Sequence, residues 1–320
     1  MQLPFNLNPY MQAYNPEAFV SSIIFSENEK YLPYLLSNYV QIIFYNQPPY
    51  TWLNYYGENW MLSKDGLIKQ NTVNIPDFIM NKGEFDMAHI ACKCLNEGYY
   101  VYGPYNEYHI PGKPAYLIEY YPNDYVLYGY DDETKEFLSA GFVNEIYTPF
   151  RIPFEAYKNA LKIEGQQQDY IYYLSFNHRL NLTFDIIGLK KRLYDYLNSI
   201  DPENSNNSIG LEAIRHLSLY IKEKIELREE FELRPLYAVR EHKQLMMKRL
   251  EYMTENGYIS ADKALLNNYK DVVEKADEAY RLGQKYSNEK ESIQTNGICE
   301  KLNFIIEAET ELLSKVYQKM

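Results

Sequence analysis

Cysteine, tryptophan and glycine are all scarce in this chain: 320 residues include 3 Cys, 2 Trp and 14 Gly. The three thiols, Cys92, Cys94 and Cys299, cannot build a disulfide framework, and a reducing cytoplasm is the simpler setting. Positive charge is thin as well. The only run of three basic residues is Lys190-Lys191-Arg192, in a chain whose net charge is −12. A phosphate-binding surface needs clustered Lys and Arg to displace counterions, so this balance argues against nucleic acid and disfavours docking on anionic lipid. No apolar run approaches the roughly 20 residues that cross a bilayer. The opening residues, "MQLPFNLNPYMQAYNPEAF", lack a basic stretch followed by an apolar core, and no secretory leader is expected. G-x-G-x-x-G, G-x-x-x-x-G-K-[ST] and H-E-x-x-H are absent too, and with them the common nucleotide and zincin readings. No cofactor is expected.

What the chain has in plenty is tyrosine, 35 residues against 14 Phe. Together with abundant Asn, Ile and Lys, this points to an AT-rich coding genome. Tyrosine keeps its physics regardless: an apolar ring with a polar tip suits half-buried strands and pocket walls. Hydrophobic residues make up 46% and charged residues 24%, a mix that can bury a core.

The composition changes near residue 200. Before it, short Tyr/Ile/Val-rich runs alternate with "NQPPY", "YGPYN", "HIPGKP" and "DDET", a pattern of strands and turns. Asn15-Pro16-Glu17 reads as a cap and a first-turn proline opening a helix. "EFDMAHIACKCLNEG" repeats its apolar residues at helical spacing. Strands are expected over "YYVYGPYNEY", 116–121, 124–130 and "KEFLSAGFV", with a short helix at "PFEAYKNALKI". After the polar cluster "DPENSNNS", four helical segments follow, the third opening near Ser260 and Asp262 and the last running from about Asn288 to Met320. In that last segment Ile298, Leu302, Ile305, Ile306, Leu312, Leu313 and Val316 form an apolar stripe. The expected architecture is α+β: a domain over 1–200 with a mixed or antiparallel sheet packed on helices, then a helical bundle over 201–320.

Two constellations invite chemical readings. His89, Cys92 and Cys94 are metal-ligand types, but at about 100° per helical residue Cys94 lies far round from Cys92, and no metal site is expected. The acid pairs Asp131-Asp132 and Glu229-Glu230 read as solvated turn and helix-face residues.

The stretch around "GYYVYGPYNEYHIPG" and "NDYVLYGYDDETKEFLSAGF" resembles the butirosin biosynthesis protein H N-terminal family. In that family a strand of the type V-D-x-Y-x-L-P precedes one of the type H-D-x-L-I-Y-G-Y-D. Here the first is Tyr105-Asn106-Glu107-Tyr108-His109-Ile110-Pro111 and the second is Asn123-Asp124-Tyr125-Val126-Leu127-Tyr128-Gly129-Tyr130-Asp131. The resemblance implies a papain-like fold and cysteine-dependent acyl transfer from a carrier protein to an amine. That chemistry needs a thiolate at a helix N-terminus and a histidine to deprotonate the thiol. The helix that should carry the Cys offers Ala13, Tyr14 and Asn15, the strand that should carry the His offers Asn123, and "FLSAGF" offers no acid. No catalytic residue is therefore assigned.

The resemblance leaves a cleft that Asn106, Tyr108, His109, Tyr128, Tyr130 and Asp131 would line. Its leading implication is a cytoplasmic, non-catalytic accessory protein of a bacterial natural-product pathway, a pseudoenzyme. It would bind a carrier protein, a biosynthetic enzyme of the same gene cluster, or an intermediate. An acyltransferase using other residues, such as Ser21 or Ser22 with His109, is the alternative. A structural subunit that forms a homodimer through its helical domain is a third reading.

Overall fold

A computed structural model of the chain describes residues 1–26, 29–47, 50–56, 68–74, 86–143, 146–161, 170–177, 179, 183–201, 207–260, 263–289 and 296–320. The elements begin with α1 (Asn15–Ile24), α2 (Leu32–Asn38), β1 (Ile42–Gln47), β2 (Tyr50–Tyr55) and β3 (Ile68–Asn74). They continue with α3 (Met87–Asn96), β4 (Tyr100–Asn106), β5 (Pro122–Asp131), β6 (Glu136–Val143), β7 (Ile146–Pro153), α4 (Phe154–Ala160) and β8 (Tyr170–Phe176). The remainder is α5 (Ile186–Leu197), β9 (Ser208–Ile209), α6 (Leu211–Glu226), α7 (Arg234–Glu255), α8 (Lys263–Glu289) and α9 (Asn296–Lys319). The chain is α+β, and every strand pairing among the described residues is antiparallel. None of the helices searched among these residues is long and apolar enough to cross a membrane.

The chain divides into two compact units whose segments alternate: Met1–Glu29 with Asn59–Asn181, and Lys30–Glu58 with Leu182–Met320. Sequence composition places a single boundary at 200/201. The structure instead returns residues 30–58 to the helical unit, because β1 pairs with β9 through Ile43↔Ile209. A partner so distant in the chain leaves no local trace in composition.

In the first unit the strands run in the order β3-β8-β4-β5-β6-β7. Val101, Tyr125, Leu127, Phe137, Ile152 and Tyr173 share a core with Ala88, Ala91 and Leu95 of α3 and Tyr157 of α4. Tyr102 and Tyr147 turn instead toward Phe19 of α1, at ring-centroid distances of 5.3 and 6.1 Å. The α1 helix begins where Asn15-Pro16-Glu17 predicts, with proline in its first turn. The α3 helix is capped by the Asp86 carboxylate, which accepts from Ala88 N and His89 N at 3.1 and 3.2 Å.

Residues 116–121, expected as a strand, form turns and irregular backbone instead. Pro111 and Pro114 remove donors, Leu117 takes a left-handed φ of 55°, and Ile118 N bonds back to Ala115 O at 3.0 Å. The Gly129 of the Gly-Tyr-Asp signature has a backbone role. Residues 1–3 pair with β5, Leu3 N donating to Tyr128 O and Tyr130 N to Met1 O, both at 2.8 Å. A Cβ on Gly129 would stand 2.7 Å from Met1 O.

In the second unit the strand order is β2-β1-β9, and the helical segments expected after residue 200 are α6 to α9. The predicted stripe of α9 is buried throughout, from Ile298 at 1% to Val316 at 1% exposure. Asp262, and the stretch from Asn288 into the final helix, fall wholly or partly outside the residues described. The interior of this unit is not wholly apolar. Lys243 Nζ donates to Glu309 Oε2 and to Tyr196 Oη, both at 2.7 Å, and Tyr196 Oη donates to Glu309 Oε2 at 2.6 Å. Tyr269 also donates to Glu309, His242 Nε2 meets Val40 O at 2.7 Å, and Arg249 Nη2 donates to Tyr39 O at 2.6 Å. Lys243, Glu309 and His242 are all 0% exposed.

Candidate functional site

Asn15 opens α1 and Asn123 stands near the start of β5, 108 positions later, yet the fold brings them into contact. Asn15 Nδ2 donates to Asn123 Oδ1 at 3.2 Å. Asn123 Nδ2 in turn donates to Glu107 Oε1 at 3.1 Å, and the Tyr125 hydroxyl donates to the same oxygen. Burial and the Glu107 carboxylate together push the Tyr125 phenol far above its usual range, so it remains a donor. Asn106 anchors the adjoining backbone, its Oδ1 accepting from Tyr108 N and Tyr121 N at 3.1 Å each. Three of the predicted positions, Asn15, Asn106 and Asn123, therefore gather around Glu107, a residue that sequence reasoning did not single out.

Two features of this cluster bear on binding. The α1 N-terminus has no side-chain cap, and Asn15 Oδ1 is a buried acceptor with no hydrogen-bond partner. Leaving such an atom unpaired costs about 1–3 kcal/mol, and native folds rarely carry that cost without a reason. Close by, Lys113 is buried with its Nζ 4.0 Å from the Tyr125 ring centroid and 3.4 Å from that of Phe150. It donates to Phe142 O at 3.1 Å. Burial lowers its pKa to about 7, against the opposing pull of Glu107. The Tyr125 ring fits there because position 141 is glycine, where a Cβ would fall 2.3 Å from the ring.

The other predicted residues lie elsewhere. Tyr130 is seven residues from Asn123 along an extended strand, about 23 Å at roughly 3.3 Å per residue, so one small cleft cannot hold both. Tyr128 is buried and stacked on Phe5 at 4.5 Å. The Tyr130 hydroxyl donates to Asn96 Oδ1 at 3.1 Å. Its ring lines a separate cavity of about 650 Å³ with His89, Cys92, Lys135, Phe154 and others. Asp131 caps its turn through Glu133 N at 3.0 Å and pairs with Arg151 at 3.5 Å. These three residues thus have partners of their own away from the Asn15–Asn123 contact.

Tyr108 and His109 stay beside the cluster, in a single helical turn over Glu107–His109, their rings edge-to-face at 5.0 Å. Ala13 is buried; Tyr14 supplies the α1 N-cap backbone. Ser21 and Ser22 are both 0% exposed. Ser21 Oγ accepts from Tyr10 N at 3.1 Å, and Ser22 Oγ lies 3.0 Å from Tyr147 Oη. Cys92 is half-buried, and burial with the nearby Asp132 and Asp86 carboxylates raises its thiol to about 11. Among the described residues no three His, Cys, Asp or Glu side chains are grouped to hold a metal ion.

Sequence reasoning also missed an exposed apolar rim. Leu117, Ile118, Tyr120 and Tyr121 are 62, 75, 41 and 50% exposed. They lead directly into Asn123, and Tyr121 O accepts from Glu107 N at 2.8 Å. The signal was present in "AYLIEYY", but an apolar run of that length reads first as a buried strand. Set against known proteins, the chain matches no family model, and no curated protein matches it either.

Proposed function

We propose that the first unit is a papain-like module whose acyl-transfer site is degenerate, and that it binds an acylated carrier or peptide partner of a bacterial natural-product pathway without turning it over. The observation that carries this reading is the Asn15–Asn123 contact at 3.2 Å. Asn15 at a helix N-terminus and Asn123 on the facing strand hold the relation that a thiol and its imidazole need. Two amides in those positions supply neither a nucleophile nor a base at neutral pH. The unpaired Asn15 Oδ1 still offers an acceptor to a ligand. The exposed rim from Leu117 to Tyr121 offers the apolar contacts that anchor partners.

The test is to mix the purified chain with acylated carriers encoded beside its gene, following complex formation and thioester loss together. A complex with an intact thioester, weakened at least about tenfold by Ile118→Asp, is expected. Thioester consumption by the wild-type chain would make it an enzyme, and failure to bind any neighbour's product would sink the binding role. The geometry itself is tested by Asn15→Cys with Asn123→His. If the relation is the one proposed, the double variant's thiol should alkylate near pH 6 at least about tenfold faster than Asn15→Cys alone, because an imidazole partner lowers the thiol pKa.

A further inference from the structure

The only run of three basic residues in this acidic chain lies on α5, where it divides between two tasks. Arg192 faces its own unit, Nη1 donating to Ser37 O at 3.4 Å and meeting Asp185 at 3.5 Å. Lys190 and Lys191 line a groove of about 390 Å³ with Ile187, Tyr194 and Tyr317 of α9. Ile187, Lys190, Lys191 and Tyr194 follow an i, i+3, i+4, i+7 spacing and so share one helix face. The core face of α5 is a different one, carrying Leu189, Leu193 and Tyr196. Ile187 is 83% exposed and Tyr194 44%, so neither is needed to close the interior. The groove is nonetheless organised. The rings of Tyr194 and Tyr317 meet at 5.7 Å, and Lys190 Nζ lies 5.1 Å from the Tyr317 ring centroid.

We infer that this groove docks an acidic amphipathic helix of a partner protein. Its concave apolar floor fits the ridge of a helix carrying apolar residues at the same spacing. Lys190 and Lys191 would meet flanking carboxylates on that helix. Two lysines on the groove, Lys190 and Lys191, are complementary to carboxylates flanking the apolar ridge of such a helix. An anionic bilayer is the poorer fit, because two lysines supply only about 2 kcal/mol, at roughly 1 kcal/mol each, and stable anchoring needs a larger basic cluster. The inference does not depend on the Asn15–Asn123 reading.

The experiment uses the full chain and a fluorescent synthetic helix with leucines at i, i+4 and i+7 flanked by glutamates. Anisotropy is read at low and high salt. Saturable binding that weakens with salt is expected, lowered at least about tenfold by Lys190→Glu with Lys191→Glu and by Ile187→Asp. These exposed substitutions should leave thermal unfolding unchanged, which separates lost docking from lost folding. Asn15→Ala should leave this binding unaltered, so the groove and the cleft stand or fall separately. Equal binding of a helix with lysines in place of the glutamates would overturn the inference. So would binding indifferent to the three substitutions, or binding to phosphatidylserine vesicles with none to the peptide.

Discussion

The two units each bury a polar cluster, and they bury it differently. In the helical unit Lys243, Glu309, Tyr196, Tyr269, His242 and Arg249 are sealed, and each has partners for its charge or hydroxyl. In the sheet unit Asn15, Asn123 and Glu107 sit at a strand end beside an exposed apolar loop, with one acceptor atom left unpaired. A closed, satisfied network fixes a core. An incompletely satisfied one next to solvent leaves a hydrogen-bonding atom open.

The contrast is broken most directly at Glu309. Replacing it with alanine strands the Lys243 ammonium, and a loss of about 3–5 kcal/mol in urea unfolding is expected. Lys243→Met combined with Glu309→Leu should recover only part of that loss, because the buried Tyr196 and Tyr269 hydroxyls lose their acceptor. If the double variant is as unstable as the single one, the network is more than a matched pair.

In the sheet unit the larger effect should come from Gly141→Ala. Its Cβ would press on the Tyr125 ring and so disturb the Glu107 and Lys113 contacts, at a cost of about 1–3 kcal/mol. A neutral result would mean that the ring swings aside freely.

A smaller effect separates the clusters by pH. Burial, Lys243 and Arg249 hold the His242 imidazole well below its ordinary pKa, while its bond to Val40 O opposes them. The unfolded histidine takes a proton below about pH 6.5 and the folded one resists it. Stability from this site is therefore complete above that pH and is lost as pH falls, with a slope approaching about 1.4 kcal/mol per unit. His242→Gln should flatten that part of the wild-type profile, and superimposable profiles would rule His242 out.

Asn15→Ala should have the least effect, within about 0.5 kcal/mol, because it removes one hydrogen bond and one unpaired acceptor together. A much larger loss would make the amide pair structural.

Much of this was legible in the sequence where the signal is local. The start of α1, the span of α3, the α9 stripe and the antiparallel meander of β5 and β6 follow from caps, periodicity and short connections. No spacing rule connects Asn15 with Asn123, 108 residues apart, so residue pattern alone does not show their juxtaposition. Glu107 escaped notice because a carboxylate in a polar turn reads as solvated, and only the fold buries it, at 3% exposure. Tyr128 and Tyr130 share a strand with Asn123, but an extended strand carries its two ends far apart, and their partners, Phe5 and Asn96, could not be read from the sequence.

The alternation of segments has a consequence for synthesis. Residues 30–58 leave the ribosome long before their partners, which begin at residue 182. At 5–20 residues per second, the aromatic hairpin of β1 and β2 must wait on the order of ten seconds for β9 and the helices that complete its unit. During that interval Tyr45, Trp52 and the unpaired edge of β1 are available to other chains. Aggregation of the nascent chain, rather than loss of the finished fold, is the hazard this topology creates.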